Sequence, residues 1–383
     1  MKKIIIIGAN NFQLPLIKKA KEMKLETHVF AWEEGAVGKA YADFFYPISI
    51  TEKELILEKA KQIKPDAVLS IASDLAIITV NYLADKLCLV GNSIKSTDLC
   101  TNKYLMRKRL AQHKLPCPKF TDNYQSGFEH LRLPIIVKPT DRSGSRGISI
   151  VNTNDELEFA VKRASSESFN QQLIIEEFVR GKEYSVEMIS WQGEHTFLQI
   201  TEKETSGAPY FVEKEQHQPA NLKNEIKNKV IEITRQALDA LEIKNGASHS
   251  EIIITEESEI YITEIGARMG GDYIGSHLVE LSTGFDFVKA VIVIALNKEP
   301  QISLSKSQFS GIYYIFAPQG RVSRIDDNAS KNPSVIKTEI NCKPGDELSE
   351  IKESGQRPAC YIYQTDEKRL IPKPDLITIN NII

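Results

Sequence analysis

Several signatures are missing from this sequence, and each absence narrows the reading. No apolar run approaches the ~18 residues of a membrane-spanning helix, so no membrane partner is expected. The start, Met1-Lys2-Lys3 followed by Ile4 to Ile7, falls short of the roughly 7–15 apolar residues of a secretory signal core. The 5 cysteines form no CxxC pair and are odd in number, which argues against a disulfide framework or a zinc finger. A reducing, cytoplasmic setting is expected. A basic excess is also missing: 48 Lys+Arg against 51 Asp+Glu leave a net charge of -3, which gives no general pull toward nucleic acid. Gly8-Ala9-Asn10-Asn11 is not the GxGxxG of a dinucleotide fold, GxxxxGK[ST] is absent, and there is no GxSxG nucleophile elbow. Low-complexity tracts and internal repeats are lacking as well.

What remains is ordinary globular material. At 383 residues, 42% hydrophobic and 26% charged, the chain can bury a large core and suggests two or three domains. Ile4–Ile7 is a fully apolar run ending in Gly8, as expected of a buried parallel strand. A helix follows, with Pro15 in its first turn and Leu16, Ile17, Ala20 and Met23 on one face. Further strands are expected at Thr27–Ala31, Ala67–Ile71 and Leu87–Val90, with a helix around Leu75–Ala84. Strand–helix alternation argues for a parallel α/β layer, assigned to residues 1–100.

The pattern then changes. A polar helix is expected from Asp98 to His113, and a strand at Leu133–Val137 runs into Lys138-Pro139. A glycine–serine loop leads to a strand at Ile148–Val151, and Thr153 with Glu156 reads as a capping box. Leu173–Val179, Tyr184–Trp191 and His195–Thr201 suggest an antiparallel meander, followed by a polar loop at 202–221 and a long amphipathic helix from Leu222 to Leu241. Strands at Ser250–Ile254 and Ile260–Ile265 precede a helical stretch to Leu296. The last part is rich in strands and turns. This outlines a middle α+β domain over 101–300 and a small, mainly β domain over 301–383.

Several residues in the middle segment can do chemistry. A hairpin with loop residues 256–259 would set Glu251 opposite Glu264, with Cβ atoms about 4.5–5.5 Å apart. Carboxylates that close repel unless a cation or proton lies between them, and Mg2+ suits two carboxylates plus phosphate oxygens. The alternative is two solvated glutamates on an exposed face. Lys138, stepping out of an apolar strand, is a point charge suited to phosphate, or an ordinary strand-end lysine. Ser143-Gly144-Ser145-Arg146-Gly147 could bring backbone N–H groups to an anion, or simply close a hairpin. Around Glu176-Glu177-Phe178-Val179 and Gly181-Lys182-Glu183 a strand edge could meet a flat base and ribose hydroxyls; paired strands with charged faces would look the same. Arg268 could hold an anionic intermediate as a planar fork. His249, two residues from Glu251, could touch substrate or be structural, and His217 sits in the expected polar loop.

Taken in order, Lys103, Val137-Lys138-Pro139, the Gly/Ser loop, Glu176-Glu177-Phe178-Val179, Glu183, Glu251 and Glu264-Ile265-Gly266-Ala267-Arg268 resemble the ATP-grasp superfamily of carboxylate–amine ligases. The nearest branch is that of L-amino acid ligases and the carbamoyl phosphate synthase large subunit. His249-Ser250-Glu251 and Gly266-Ala267-Arg268-Met269-Gly270-Gly271 are the best matches to the amino-acid ligases. The resemblance implies a Rossmann-like pre-ATP-grasp domain, a split ATP-grasp domain and a small C-terminal β domain. It implies ATP and Mg2+ (Mn2+ also serving) as cofactors. Lys103 and Lys138 would hold phosphates, and Ser143, Gly144, Ser145 and Gly147 would fold over them. Glu176, Glu177, Phe178 and Val179 would lie at the adenine, Glu183 at the ribose, Glu251 and Glu264 on the metal, and Arg268 on an acyl phosphate. Many members carry Asn where this chain has Gly266, which leaves the number of metals open. The implied reaction activates a small carboxylate as an acyl phosphate and joins it to an amine, and the resemblance implies a homodimer. Enzymes activating formate or bicarbonate, and a non-catalytic ATP-binding regulator, remain as alternatives.

Overall fold

The computed structural model describes all residues but 125–127, 129, 145, 371–375 and 383, and only the backbone of Ile382. The N-terminal layer is a parallel sheet of β1 (Lys3–Ile7), β2 (Glu26–Phe30), β3 (Phe44–Tyr46) and β4 (Ala67–Leu69), in the order β3-β2-β1-β4. Ile4 to Ile7 are completely buried, as an apolar strand covered on both faces must be. Helices α1 (Leu14–Glu22), α2 (Lys53–Ile63) and α3 (Asp74–Leu87) connect and cover these strands.

Two expectations fail here. Leu87–Val90 is not a strand. The apolar face of α3 at Ile77, Val80, Leu83 and Ala84 carries the helix on to Leu87, where left-handed Cys88 stops it and Leu89 N–H bonds back to the Ala84 carbonyl. The polar helix is really two, α4 (Ile94–Thr101) and α5 (Lys103–Gln112). Asn102 lies between them with extended backbone, and its side chain accepts from the N–H groups of Tyr104 and Leu105.

A small antiparallel sheet follows in the order β5 (Phe120–Thr121), β8 (Leu173–Glu177), β6 (Ile135–Pro139), β7 (Ser149–Val151), backed by α6 (Leu157–Glu167). The Thr153–Glu156 box forms only in part: Glu156 accepts from the N–H of Asn152, whereas the Thr153 side chain caps nothing.

The large sheet has eight strands: β9 (Lys182–Trp191), β10 (Glu194–Thr205), β11 (Glu213–Gln218), β12 (Gly246–Ile254), β13 (Ile260–Gly266), β14 (Phe309–Ile315), β16 (Val335–Ile340) and β18 (Ala359–Thr365). Their spatial order is β13-β12-β9-β10-β11-β14-β18-β16, so strands from the last part of the chain extend the middle sheet. The remaining β15 (Gly320–Asp327), β17 (Glu347–Leu348) and β19 (Ile377–Ile382) form a three-stranded sheet. The segment expected to be a polar loop at 202–221 is largely a hairpin of β10 and β11: on β10 alternate residues, Thr201 and Lys203, turn inward, and at the end of β11 Gln216, His217 and Gln218 are all buried. Helix α7 (Asn224–Ala240) lays Val230, Ala237 and Leu238 on Val186, Met188, Ile252 and Ile262. Past α8 (Val279–Thr283), α9 (Phe287–Ala295) turns back and packs Phe287, Val291 and Ile294 with Ile4, Ile6 and the α1 face. This return docks the middle segment on the N-terminal layer and brings the carboxyl end of β4 to the end of β13.

Candidate active site

Hairpin counting sets Glu251 opposite Glu264, with two solvated glutamates on an exposed face as the alternative. The two are Cα partners on β12 and β13. The register near the turn is offset by one from the simple hairpin, with Ile254 opposite Ile260 and Ile252 opposite Ile262. A bulge between Glu251 and Ile252 absorbs one residue on β13 and restores the pairing of the carboxylates. His249, two residues along β12, points to the same face and places Nε2 3.4 Å from Glu251 Oε1.

Both carboxylates line a cavity of about 290 Å³ with Lys103, Lys138, Ser143, Gly144, His249 and Arg268. Its cations come from different elements. Lys103 opens α5, and its Nζ lies 3.2 Å from Glu264 Oε2 and 2.6 Å from the Arg142 carbonyl. Lys203, on β10, donates to Glu251 at 2.6 Å and lies 3.7 Å from Glu213. Burial alone would raise the Glu251 carboxyl, but Lys203 and His249 hold it well below the usual carboxylate range. For His249 burial works downward and the buried Glu187 carboxylate works upward; the carboxylate wins, and the imidazole is held up at about 9.

Lys138 sits in a different kind of cluster. Arg107 is completely buried, and its Nε lies 2.5 Å from Glu176 Oε1, while Lys138 Nζ lies 2.6 Å from Glu176 Oε2. Two cations thus share one carboxylate. Burial pushes Lys138 below the ordinary lysine value because Glu176 is already committed to Arg107. Glu176 itself stays lowered despite burial because two cations face it. This cluster leaves Lys138 short of negative charge beside the cavity.

The loop after β6 has positive φ at Gly144 and Gly147. At Gly147 a Cβ would lie 2.8 Å from the Pro139 side chain and 2.9 Å from that of Glu167, so only glycine fits the turn. Ser145 lies outside the described residues. Arg268 follows β13 and is gripped by Asp74, whose two carboxylate oxygens accept from Nε and Nη2 at 2.8 Å each.

Other expected residues stand apart from this cavity. Glu176 is 3% exposed and belongs to the ion cluster, so its carboxylate is engaged before any base arrives. Glu177 is held by Lys119 and accepts from the N–H of Arg132; the Phe178 ring centroid lies 6.2 Å from that of Phe211, and Val179 follows past the strand end. Glu183 pairs with Lys203 across β9 and β10, and burial pushes its carboxyl upward against the pull of Lys203. His217 lies on β11, not in a loop, bonded to the Tyr363 hydroxyl at 2.8 Å and to Glu215 at 3.2 Å among Tyr313 and Tyr363, outside the cavity lining.

Sequence reasoning did not single out Asp74, Lys203, Arg107 or Glu187. Asp74 had a readable signal: it follows Ser73, an N-cap, just past the carboxyl end of a parallel strand, where open α/β sheets bind ligands. Lys203 was hidden by reading its strand as loop. Arg107 and Glu187 look like any charged residue until the fold buries them.

Comparison with known proteins places this geometry. Residues 131–276 match the model of the ATP-grasp domain. The middle of the chain is an ATP-grasp domain. The L-arginine-specific L-amino acid ligase of Bacillus subtilis is 21% identical over 314 residues, covering 79% of this chain and 76% of that protein. An uncharacterized protein of Sinorhizobium fredii is 25% identical over 279 residues, and there the chain spans only 57% of the relative's length. Among solved structures, an L-amino acid ligase from Bacillus licheniformis superposes with TM-score 0.85 at 23% identity over 96% of this chain and 94% of that one. A phosphoribosylglycinamide synthetase from Anaerococcus prevotii superposes with TM-score 0.79 at 22% identity over the full length of both. The expected ATP-grasp architecture of mixed α/β and α+β layers is therefore present.

Proposed function

We propose that this ATP-grasp protein activates a small carboxylate with Mg-ATP and couples it to an amine, releasing ADP and phosphate. The observation that carries the reading is a single cavity in which cations from three elements (Lys103, Lys138, Arg268) face two carboxylates opposed across two strands (Glu251, Glu264). The lysines and Arg268 match the charge of a triphosphate and of an acyl phosphate. The carboxylates match a hard divalent cation, which takes carboxylate oxygens plus phosphate oxygens. Among the described residues no three His, Cys, Asp or Glu side chains form a metal-holding group, which suits a cation that is completed by nucleotide phosphates.

In this reading Glu251 and Glu264 would hold Mg2+, and the metal would supply charge neutralisation on the phosphates. Metal binding requires Lys203 and Lys103 to yield the glutamates that they now hold at 2.6 and 3.2 Å. Freed from Glu264, Lys103 can meet a phosphate. Lys138, under-compensated in its own cluster, needs no release. The loop at 140–148 closes over the phosphates, and Arg268 holds the activated acyl group. Positioning and charge are what phosphoryl transfer asks of a protein, and no nucleophilic side chain is required. Phe178, Val179 and Glu183 are kept as the adenine and ribose contacts. The segments 1–100, 101–300 and 301–383 are kept as the substrate-crevice, ATP-grasp and closing β parts. The relatives named as amino-acid ligases favour an amino acid as one substrate and a dipeptide-like amide as product.

The likeness to a formate-dependent phosphoribosylglycinamide formyltransferase of Prochlorococcus marinus, 24% identical over 70% of each chain, supports a second reading, small-acid activation of the purine-synthesis type. One experiment separates the two: Mg-ATP with pools of amino acids and of small acids, following ADP, phosphate and product mass. Under the first reading, ADP appears only when an acid and an amine are both present, together with an amide mass. ADP release with formate or bicarbonate and no amino acid would overturn it in favour of the second.

A further inference from the structure

The contact between Asp74 and Arg268 joins residues far apart in the chain, and a third residue makes it possible. Asp74 is in the first turn of α3, in the N-terminal layer, and Arg268 follows the last strand of the large sheet's edge. The pairing is fork to fork, two parallel bonds of 2.8 Å, a geometry that fixes the plane of the guanidinium as well as its position. Side-chain exposure is 18% for Asp74 and 11% for Arg268, so water competes little for either. Gly266, the last residue of β13, lies beneath them. A Cβ there would be 2.9 Å from Asp74 Oδ1 and 3.1 Å from Arg268 Nε, so any side chain at 266 would push the pair apart.

The donor count shows what the clamp leaves over. A guanidinium has five N–H groups. Asp74 takes one from Nε and one from Nη2, and the Met269 carbonyl takes one from Nη1 at 3.4 Å. Two remain on the Nη nitrogens, and Arg268 and Asp74 both line the cavity. We infer that Asp74, seated over Gly266, is a positioning residue that the N-terminal layer contributes to the ATP-grasp site, holding Arg268 so that its remaining donors meet the terminal phosphoryl group. The inference rests on reading this cavity as a nucleotide site. It makes docking of the N-terminal layer a condition for a correctly aimed arginine, and it assigns a purpose to the glycine at 266.

The test reads phosphoryl discrimination without needing the unidentified substrates. Calorimetry would measure binding of Mg-ADP and of the non-hydrolysable ATP analogue AMPPNP, with thermal unfolding confirming that each variant folds. Wild type is expected to prefer AMPPNP to ADP. Asp74→Asn should lose at least fivefold of that preference with ADP affinity unchanged, and Gly266→Ala should do the same by displacing the pair. In an Asp74→Ala background, Gly266→Ala should cost nothing further, because the nearest atom it strikes, Asp74 Oδ1, is gone and the Arg268 side chain, no longer clamped, can give way. An unchanged preference in Asp74→Asn, or full additivity of the two substitutions, would overturn the inference and leave the nucleotide reading intact. A wild-type chain that binds neither nucleotide would overturn both.

Discussion

Two ion clusters meet at the cavity, and they are built on opposite principles. At the small sheet, Lys138 of β6 and Arg107 of the adjoining α5 share the single carboxylate of Glu176, all nearly sealed from water. On the large sheet, Glu251, Glu213 and Glu183 surround the single ammonium of Lys203, and Glu264 leans on Lys103. One side holds surplus positive charge and the other surplus negative charge. Surplus charge in a partly dry place is costly unless something completes it. An anion such as triphosphate would complete the first cluster and a divalent cation the second, so the pair of clusters supports the proposed Mg-ATP reading more than either does alone.

The comparison can be broken at its most buried point. Glu176→Gln leaves Arg107 and Lys138 facing each other without their shared counter-charge. Removing one partner of a buried pair costs about 3–5 kcal/mol. Chemical denaturation should show a loss of that size, and added Mg-ATP should recover part of it, since phosphate replaces the missing charge. A loss under about 1 kcal/mol would mean that the cluster is solvated and that its surplus charge has no force.

The opposite cluster should respond in function and hardly in stability. Glu264→Gln keeps the shape of the side chain and removes a charge from a partly exposed site. Mg-dependent ATP turnover is expected to fall at least a hundredfold, about 2.7 kcal/mol at 1.36 kcal/mol per decade, with little change in unfolding. Retained turnover would remove the metal assignment. Lys138→Ala should then give a smaller effect, a tenfold or greater fall in kcat/KM for ATP, about 1.4 kcal/mol, because Lys103 and Arg268 still face the nucleotide. Unchanged nucleotide kinetics would make Lys138 a structural lysine held by Glu176.

This division of charge also explains what could be read from the sequence. Strand periodicity located β1, β6, β12 and β13, because buried strands announce themselves in runs such as Ile4–Ile7 and Ile135–Val137. Hairpin counting put Glu251 opposite Glu264 even though the turn register was off by one; the bulge cancelled the error. Contacts between segments distant in the chain were not legible. Arg268 was seen, but its partner Asp74 is 194 residues away, and nothing local pairs them. Glu176 was assigned to the adenine because its neighbours fit that strand edge, whereas its side chain turns to the other face, toward Arg107. Lys203 was lost, and His217 was placed in a loop, when β10 and β11 were read as loop: over 202–205 and 213–218 the buried residues, Lys203, Gln216, His217 and Gln218, are themselves polar and leave no apolar strand pattern.

The smallest expected effect tests whether surplus charge shapes stability away from the cavity. His277 follows the Tyr273 turn, where burial lowers its imidazole to about 4 and Lys337 adds to the lowering. A histidine lowered in the folded state from its usual 6.5 stays neutral there while the unfolded chain takes up a proton. Its contribution is therefore complete above about pH 6.5 and is lost as the pH falls toward 4. Part of the ring is exposed, so the change should be on the order of 1 kcal/mol across that window. Replacing His277 by Gln should flatten the dependence of the unfolding midpoint between pH 6.5 and 4 relative to wild type, with the two chains differing least at neutral pH. If both chains lose stability in parallel as the solution is acidified, the imidazole is not held neutral, and the acid sensitivity belongs to the carboxylates paired with Lys203, Arg268 and Arg107.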